Sequence, residues 1–380
     1  DWGTLHLFTG AAHFGRLPYR NYTTSVCPMT EEQLETYSKE YLREHFDVIR
    51  QHQCWGCQLH HCTLLRIPNG PLKGKEGEEP EFEGFTSMGS QLGVWDGMTA
   101  VTLSNEIDRL GMDLNETGWS LGLALECFEK GLITTKDTDG IELVWGDVDA
   151  IRAMYNKIAR REGFGAVLAE GAMRAAQAIG GEAPQFAVHT ARGNTPLGHD
   201  HRPSWAMMFD IAVANTGSYE LHVAPRAHIF GIKEPHPDSP EDVAEFVSRT
   251  KWLTQFIDSL GVCRLANKEF IELLDGLLNA ATGWSFDRAE AEKVGSRALN
   301  LMRAFNLRHG FDPETERPSP RYGSIPTDGP HEGRNIAPLW DGMLDIYYRN
   351  LGWDRATGKP LPETLRALEL DAVAEELWGK

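Results

Sequence analysis

Apolar residues return every three or four positions through most of the chain, the period of an amphipathic helix. The run MTEEQLETYSKEYLREHFDVIRQHQ opens with Thr30 as N-cap and Gln33 closing a capping box. It predicts a helix that delivers the chain directly onto Cys54. Further helices are predicted in series over residues 92–110, 115–131, 147–162 and 165–179. Ser239 and Pro240 form the N-cap and first-turn pair of another, ending near Asp258. Helices over 286–308, 338–350 and 362–377 close the chain, the last with Pro362 in its first turn. Three stretches break the pattern. PEFEGFTSMGS is short and Gly-broken and predicts a loop or strand, and FAVHT predicts a short strand. Residues 310–335 are rich in Pro and Gly and predict a long loop over the surface or over a site. No repeat and no low-complexity tract interrupts the series, so the predicted fold is mainly α.

Composition narrows the partners. The 380 residues are 41% hydrophobic and 24% charged, ordinary for a folded chain long enough for two or three domains. A formal net charge of −18 disfavours nucleic acid and anionic membrane as partners. No apolar run approaches the ~20 residues of a membrane span. Six cysteines, three of them clustered, do not make a disulfide framework at this length, and a cytoplasmic location is expected. The opening DWGTLHLFTG carries neither an initiator Met nor a signal peptide, and reads as a processed fragment or one piece of a larger assembly.

The candidate chemistry starts at CWGCQLHHC, residues 54–62, where Cys54, Cys57 and Cys62 stand in C-x2-C-x4-C spacing. A tetrahedral site needs a fourth ligand, from His60, His61, Cys27, Cys127 or Cys263. Thiolates in this pattern suit zinc or an iron–sulfur cluster, and spacing alone does not separate the two. DRLGMD (108–113) and DSLGVC (258–263) add a second signal. Both read D-x-L-G-apolar at the end of a predicted helix, where Gly supplies a left-handed cap. One ends in Asp113 and the other in Cys263, as if two halves were built around something two-fold. Carboxylates placed there could accept hydrogen bonds from the ring and amino N–H groups of a pterin-like ligand.

Taken together, these stretches resemble the aldehyde ferredoxin oxidoreductase family, whose members carry tungsten on two pterins beside a [4Fe-4S] cluster. LPYRNYTT leading to CWGCQLHHC, then PEFEG, NEIDRLGMD, LALECFEKGLI, REGFGAVLAEGAMRAAQAIGG, DSLGVC and FNLRHGF follow in the family's order over nearly the whole chain. The resemblance implies two helical domains packed around a bis-pterin cofactor of tungsten or molybdenum. Residues 1–53 would lead in, 54–200 would hold the cluster cysteines and first pterin motif, and 201–380 the second motif and a C-terminal wrap. It implies that Asp108, Gly111 and Asp113 bind one pterin and Asp258 and Gly261 the other. Cys54, Cys57, Cys62 and Cys263 would then ligate the cluster.

Two departures stand out. The family's usual C-x2-C-x3-C spacing would put a ligand at His61, with Cys62 one residue later. Cys62 is taken as the ligand, because thiolate is the usual choice, and His61 as the alternative. The family's N-terminal, largely β domain has no counterpart in this stretch, and is expected upstream or on another chain. The resemblance also implies that Glu83 and His222 act on substrate, an acid and a histidine suited to general acid–base work. His199, Asp200 and His201 crowd one predicted loop, where local turn bonding is expected over metal binding. The implied activity is oxidation of a small aldehyde, with electrons passed through the cluster to a ferredoxin-like acceptor or subunit in an oligomer. The alternatives are a tungsten-dependent reductase of an aromatic acyl-CoA, and a metal-binding assembly subunit without catalysis.

Overall fold

The structure, a computed structural model, describes residues 3–57, 61–217, 220, 228, 231–267 and 273–379. It is mainly α-helical and divides into two compact units. One comprises Asp1–Pro203 with Pro318–Asn335, and the other Ser204–Arg317 with Ile336–Lys380.

The first unit holds the three described strands. β1 (Asp47–His52), β2 (Cys62–Arg66) and β3 (Glu76–Glu78) form an antiparallel sheet in that order. His52 pairs with Cys62 and Asp47 with Arg66, so the cysteine segment is the loop of a β-hairpin. This corrects the helix expected up to Gln53. The capping box does form, with Thr30 Oγ1 accepting from Gln33 N at 3.2 Å, but the helix stops at Glu35. Ser38 caps a second helix, Lys39–His45, and the chain then turns extended. Val48 and Ile49 are β-branched, and pairing with β2 overrides the helical spacing that precedes them.

Helix Phe82–Met88 replaces the loop or strand expected of PEFEGFTSMGS. Phe82 and Phe85 lie one turn apart and join a buried core with Phe8, Tyr37, Leu65 and Val101. The Phe8 and Tyr37 rings stack at 4.1 Å. Helices Gly97–Leu110 and Leu114–Glu129 follow as expected. The second is buried on all sides from Thr117 to Cys127, which is why TGWSLGLALEC has no polar stripe. Its Glu126 is held by Asn21 Nδ2 at 2.7 Å and by Arg321. The helix expected over 165–179 divides into Phe164–Leu168 and Ala172–Ile179. FAVHT makes no strand: Ser319 N donates to His189 O at 3.1 Å and Thr190 N to Asn194 O at 2.9 Å, without a ladder.

The second unit is built on the long helices Pro240–Ser259 and Arg288–Arg308, with Trp340–Leu351 beside them. Ser239 caps the first, accepting from Asp242 N at 3.1 Å. The segment expected as one helix over 362–377 forms Pro362–Ala367 and Asp371–Trp378, with Glu369 between them at a φ of 60°. Two ionic groups are sealed inside this unit. Lys251 Nζ lies 2.6 Å from Asp210 Oδ1 and 2.7 Å from Glu220 Oε2. Arg303 bonds Glu316 at 2.8 Å and Gly358 O at 2.9 Å. Burial pulls the Lys251 pKa down, but the two carboxylates outweigh it and hold the pKa above the ordinary value. Lys251→Met removes this cation from between two buried acids and is expected to cost about 3–5 kcal/mol. A thermal melt that stays at the wild-type midpoint would refute this. Among the described residues, no helix is long and apolar enough to cross a membrane.

Candidate functional site

The cysteine loop is open and thiol-rich. Cys57 N donates to Cys54 O at 3.0 Å, closing a turn that places the two thiols on one short bend. Cys54 is exposed, Cys57 and Cys62 are half-buried, and none forms a disulfide. Cys62 opens β2, so ladder pairing with His52 fixes its position. His61 Nε2, Cys62 Sγ and a Glu81 carboxylate oxygen all lie within 4.8 Å of one another. His61 Nε2 is 2.7 Å from Glu81 Oε1 and 3.4 Å from Cys62 Sγ. Burial, with the carboxylates of Glu78 and Glu81, pushes the Cys62 thiol up to about 12. A bound cation would oppose that balance and draw the proton off, as metal binding to thiols does. Two thiols on the loop and a third at the start of β2 are the donor set of a soft metal or a cluster. Cys127 is buried along helix Leu114–Glu129, its thiol also pushed up to about 12 by burial and Glu126.

The two D-x-x-G turns, described each in its own unit, have the same internal geometry. Gly111 N donates to Asp108 O at 3.0 Å, and Gly261 N to Asp258 O at 3.0 Å. The glycine φ values are 71° and 68°, the left-handed region that a side chain disfavours. Nothing lies within 4 Å of where a Cβ would stand on either glycine, so both turns border open space. Asp108 and Asp258 sit in the last turn of their helices, the end where a helix dipole repels negative charge. Asp258 is offset by Arg264 at 3.1 Å. Burial and Glu78 raise the Asp108 pKa, and its carboxylate takes no hydrogen bond or ion pair from the described residues. An acid kept at the wrong end of a helix without a partner fits a hydrogen-bond-donating ligand better than a fold requirement. Asp113 has an ordinary structural role, capping the next helix by accepting from Glu116 N at 2.7 Å. Cys263 is exposed.

Glu83 stands in the first turn of helix Phe82–Met88. Its Oε1 is 3.2 Å from His199 Nε2, with side-chain exposures of 25% and 19%. Asp200 is taken up locally by Arg202, whose Nε approaches at 2.9 Å and whose far end bonds Ser25 Oγ at 3.0 Å. His60 and His222 lie outside the described residues. The Glu83–His199 pairing was not visible in the sequence. Gly198 was the available signal: a Cβ there would stand 2.5 Å from Glu83 O, so only glycine lets this loop approach the helix.

The family model for aldehyde ferredoxin oxidoreductase, domains 2 and 3, matches residues 1–370. The chain belongs to the aldehyde ferredoxin oxidoreductase family. A tungsten-containing aldehyde ferredoxin oxidoreductase of Pyrococcus furiosus is 31% identical over 376 residues, covering 97% of this chain and 59% of its own. An aliphatic sulfonate oxidoreductase WOR-like subunit of the same organism is 29% identical over 337 residues, 85% of this chain and 51% of that one. Among solved structures, the active-site complex BamBC of benzoyl-coenzyme A reductase, in complex with 1,5-dienoyl-CoA, shares the fold with a TM-score of 0.80 at 19% identity. That match covers 98% of this chain and 60% of the other. The chain therefore spans little more than half the length of these family relatives, the part that the model assigns to domains 2 and 3.

Proposed function

We propose that this chain supplies the cofactor-binding helical domains of a tungsten–pterin oxidoreductase that oxidises an aldehyde to a carboxylic acid. The observation that carries the reading is the matched pair of D-x-x-G turns, one ending in Asp113 and the other in Cys263. Asp108 and Asp258 accept hydrogen bonds from pterin N–H groups, and the open glycine turns leave room for the ring edges. Cys54, Cys57, Cys62 and Cys263 hold a [4Fe-4S] cluster as thiolates. When bound, a tungsten–pterin would supply two-electron redox chemistry and the cluster one-electron transfer. Water supplies the oxygen that the acid gains, Glu83 takes a proton from it and releases that proton to solvent, and His222 donates a hydrogen bond to the substrate oxygen. A ferredoxin-like protein or electron-transfer subunit is the acceptor, and a β domain completes the enclosure of the pterins.

The likeness to the benzoyl-CoA reductase complex supports a second reading. The same residues would then serve reduction of an aromatic acyl-CoA, with electrons running inward. Metal analysis and paired assays on the purified assembly test both. Tungsten, with iron and acid-labile sulfide in equal amounts, is expected, together with aldehyde-dependent reduction of a viologen dye. Stoichiometric zinc without iron would sink the cluster assignment. Turnover with an aromatic acyl-CoA and none with aldehydes would move the assignment to the second reading.

A further inference from the structure

The segment His199–Asp200–His201 is fastened on both sides to the helix that carries Glu83 and to the core around it. Thr86 Oγ1 donates to Gly198 O at 2.5 Å, and Asp200 N donates to Arg16 O at 2.9 Å. The His199 carbonyl accepts from the Tyr22 hydroxyl, and Asp200 and Arg202 form a buried ion pair just beyond. The His199 ring lies 4.5 Å from the Phe82 ring and 5.4 Å from the His201 ring. His201 is fully buried, with Nδ1 3.2 Å from the Tyr322 hydroxyl and Nε2 without a hydrogen-bond partner among the described residues.

We propose that His199 is the positioning residue of Glu83, holding Oε1 from a rigid backbone so that the other carboxylate oxygen exchanges the proton. A partly exposed carboxylate–imidazole contact adds little to folding, yet a scaffold of four backbone and side-chain bonds aims this one. Burial, and then the neighbouring His199, hold the His201 pKa well below its ordinary value, so its ring stands beside His199 uncharged. The neutral ring acts as a fixed wall behind His199, tied in turn to Tyr322. Asp200 behaves as expected for a local turn residue, but His199 reaches across 116 residues of sequence to its partner. No such reach is needed to close the loop.

This inference rests on Glu83 as the proton-handling residue, and the test separates the two. In the purified holo-assembly, His199→Ala is expected to lower kcat by about 10–10²-fold with little change in KM, the signature of a misplaced group. His199→Gln, which can still present an N–H to Oε1, is expected to recover most of that loss. Tungsten and iron contents stay at wild-type values in both. The contact is also read without turnover, by the infrared carboxylate band that disappears in Glu83→Gln. That band shifts in His199→Ala and returns towards the wild-type position in His199→Gln. Wild-type kcat in His199→Ala, an unmoved band, or loss of metal from His199→Ala would each overturn the proposal. Full turnover in Glu83→Gln with a band that still responds to His199 would instead remove the role given to Glu83.

Discussion

Glu83→Gln is expected to lower turnover by about 10²–10⁴-fold, the usual cost of removing a positioned acid or base. The substitution keeps the shape of the side chain and an oxygen to accept from His199 Nε2, now 3.2 Å away. It removes only the capacity to carry a proton. Because the side chain is a quarter exposed and caps nothing, stability changes little. Glu83 ligates neither a thiolate site nor a pterin turn in the proposed scheme, so tungsten and iron remain at wild-type occupancy. An interaction needed only at the reacting centre lowers kcat and kcat/KM together. Turnover within about threefold of wild type would return Glu83 to the role of a partly solvated helix-start acid, since that change is under a kcal/mol in barrier.

What the sequence revealed follows from how local each interaction is. The capping box at Thr30 and Gln33, the Ser239–Pro240 start and the glycine ends at Gly111 and Gly261 are settled within one helical turn. All of them stand where the residue pattern put them. β1 could not be read this way, because its backbone partners are 62–66 and its own residues continue a helical spacing. Helix Phe82–Met88 was hidden for a different reason. Gly84, Thr86 and Ser87 are small or polar, yet they are buried with the two phenylalanines, so burial rather than periodicity fixes the helix. The 310–335 stretch was visible as helix-poor, but not that residues 318–335 join the first unit. The candidate site divides along the same line. Clustered cysteines and the twin D-x-x-G turns are contiguous motifs. The Glu83–His199 pair joins positions 116 apart, and only the glycine before His199 marked the approach.

Cys62→Ser is expected to abolish the proposed iron–sulfur cluster, while His61→Ala leaves it assembled. The extra residue in the C-x2-C-x4-C spacing makes both side chains candidates, and the hairpin distinguishes them. Cys62 is the first residue of β2, paired with His52, so the ladder aims its thiol from a fixed position beside the loop that carries Cys54 and Cys57. His61 lies just outside that ladder, and its Nε2 is already 2.7 Å from Glu81 Oε1. A serine hydroxyl ionises far less readily than a thiol and is a poor ligand for a soft iron–sulfur site. Removing the imidazole, by contrast, releases Glu81 Oε1, leaves Oε2 with Thr4, and deletes a neighbour 3.4 Å from the Cys62 sulfur without taking away a thiolate. Iron and sulfide analysis with low-temperature electron paramagnetic resonance of the reduced assembly reads the result directly. A cluster signal that survives in Cys62→Ser and vanishes in His61→Ala would make His61 the ligand. Imidazole ligation raises cluster potentials elsewhere, so that outcome would also predict a higher midpoint potential than an all-thiolate cluster, and a weaker drive towards low-potential acceptors.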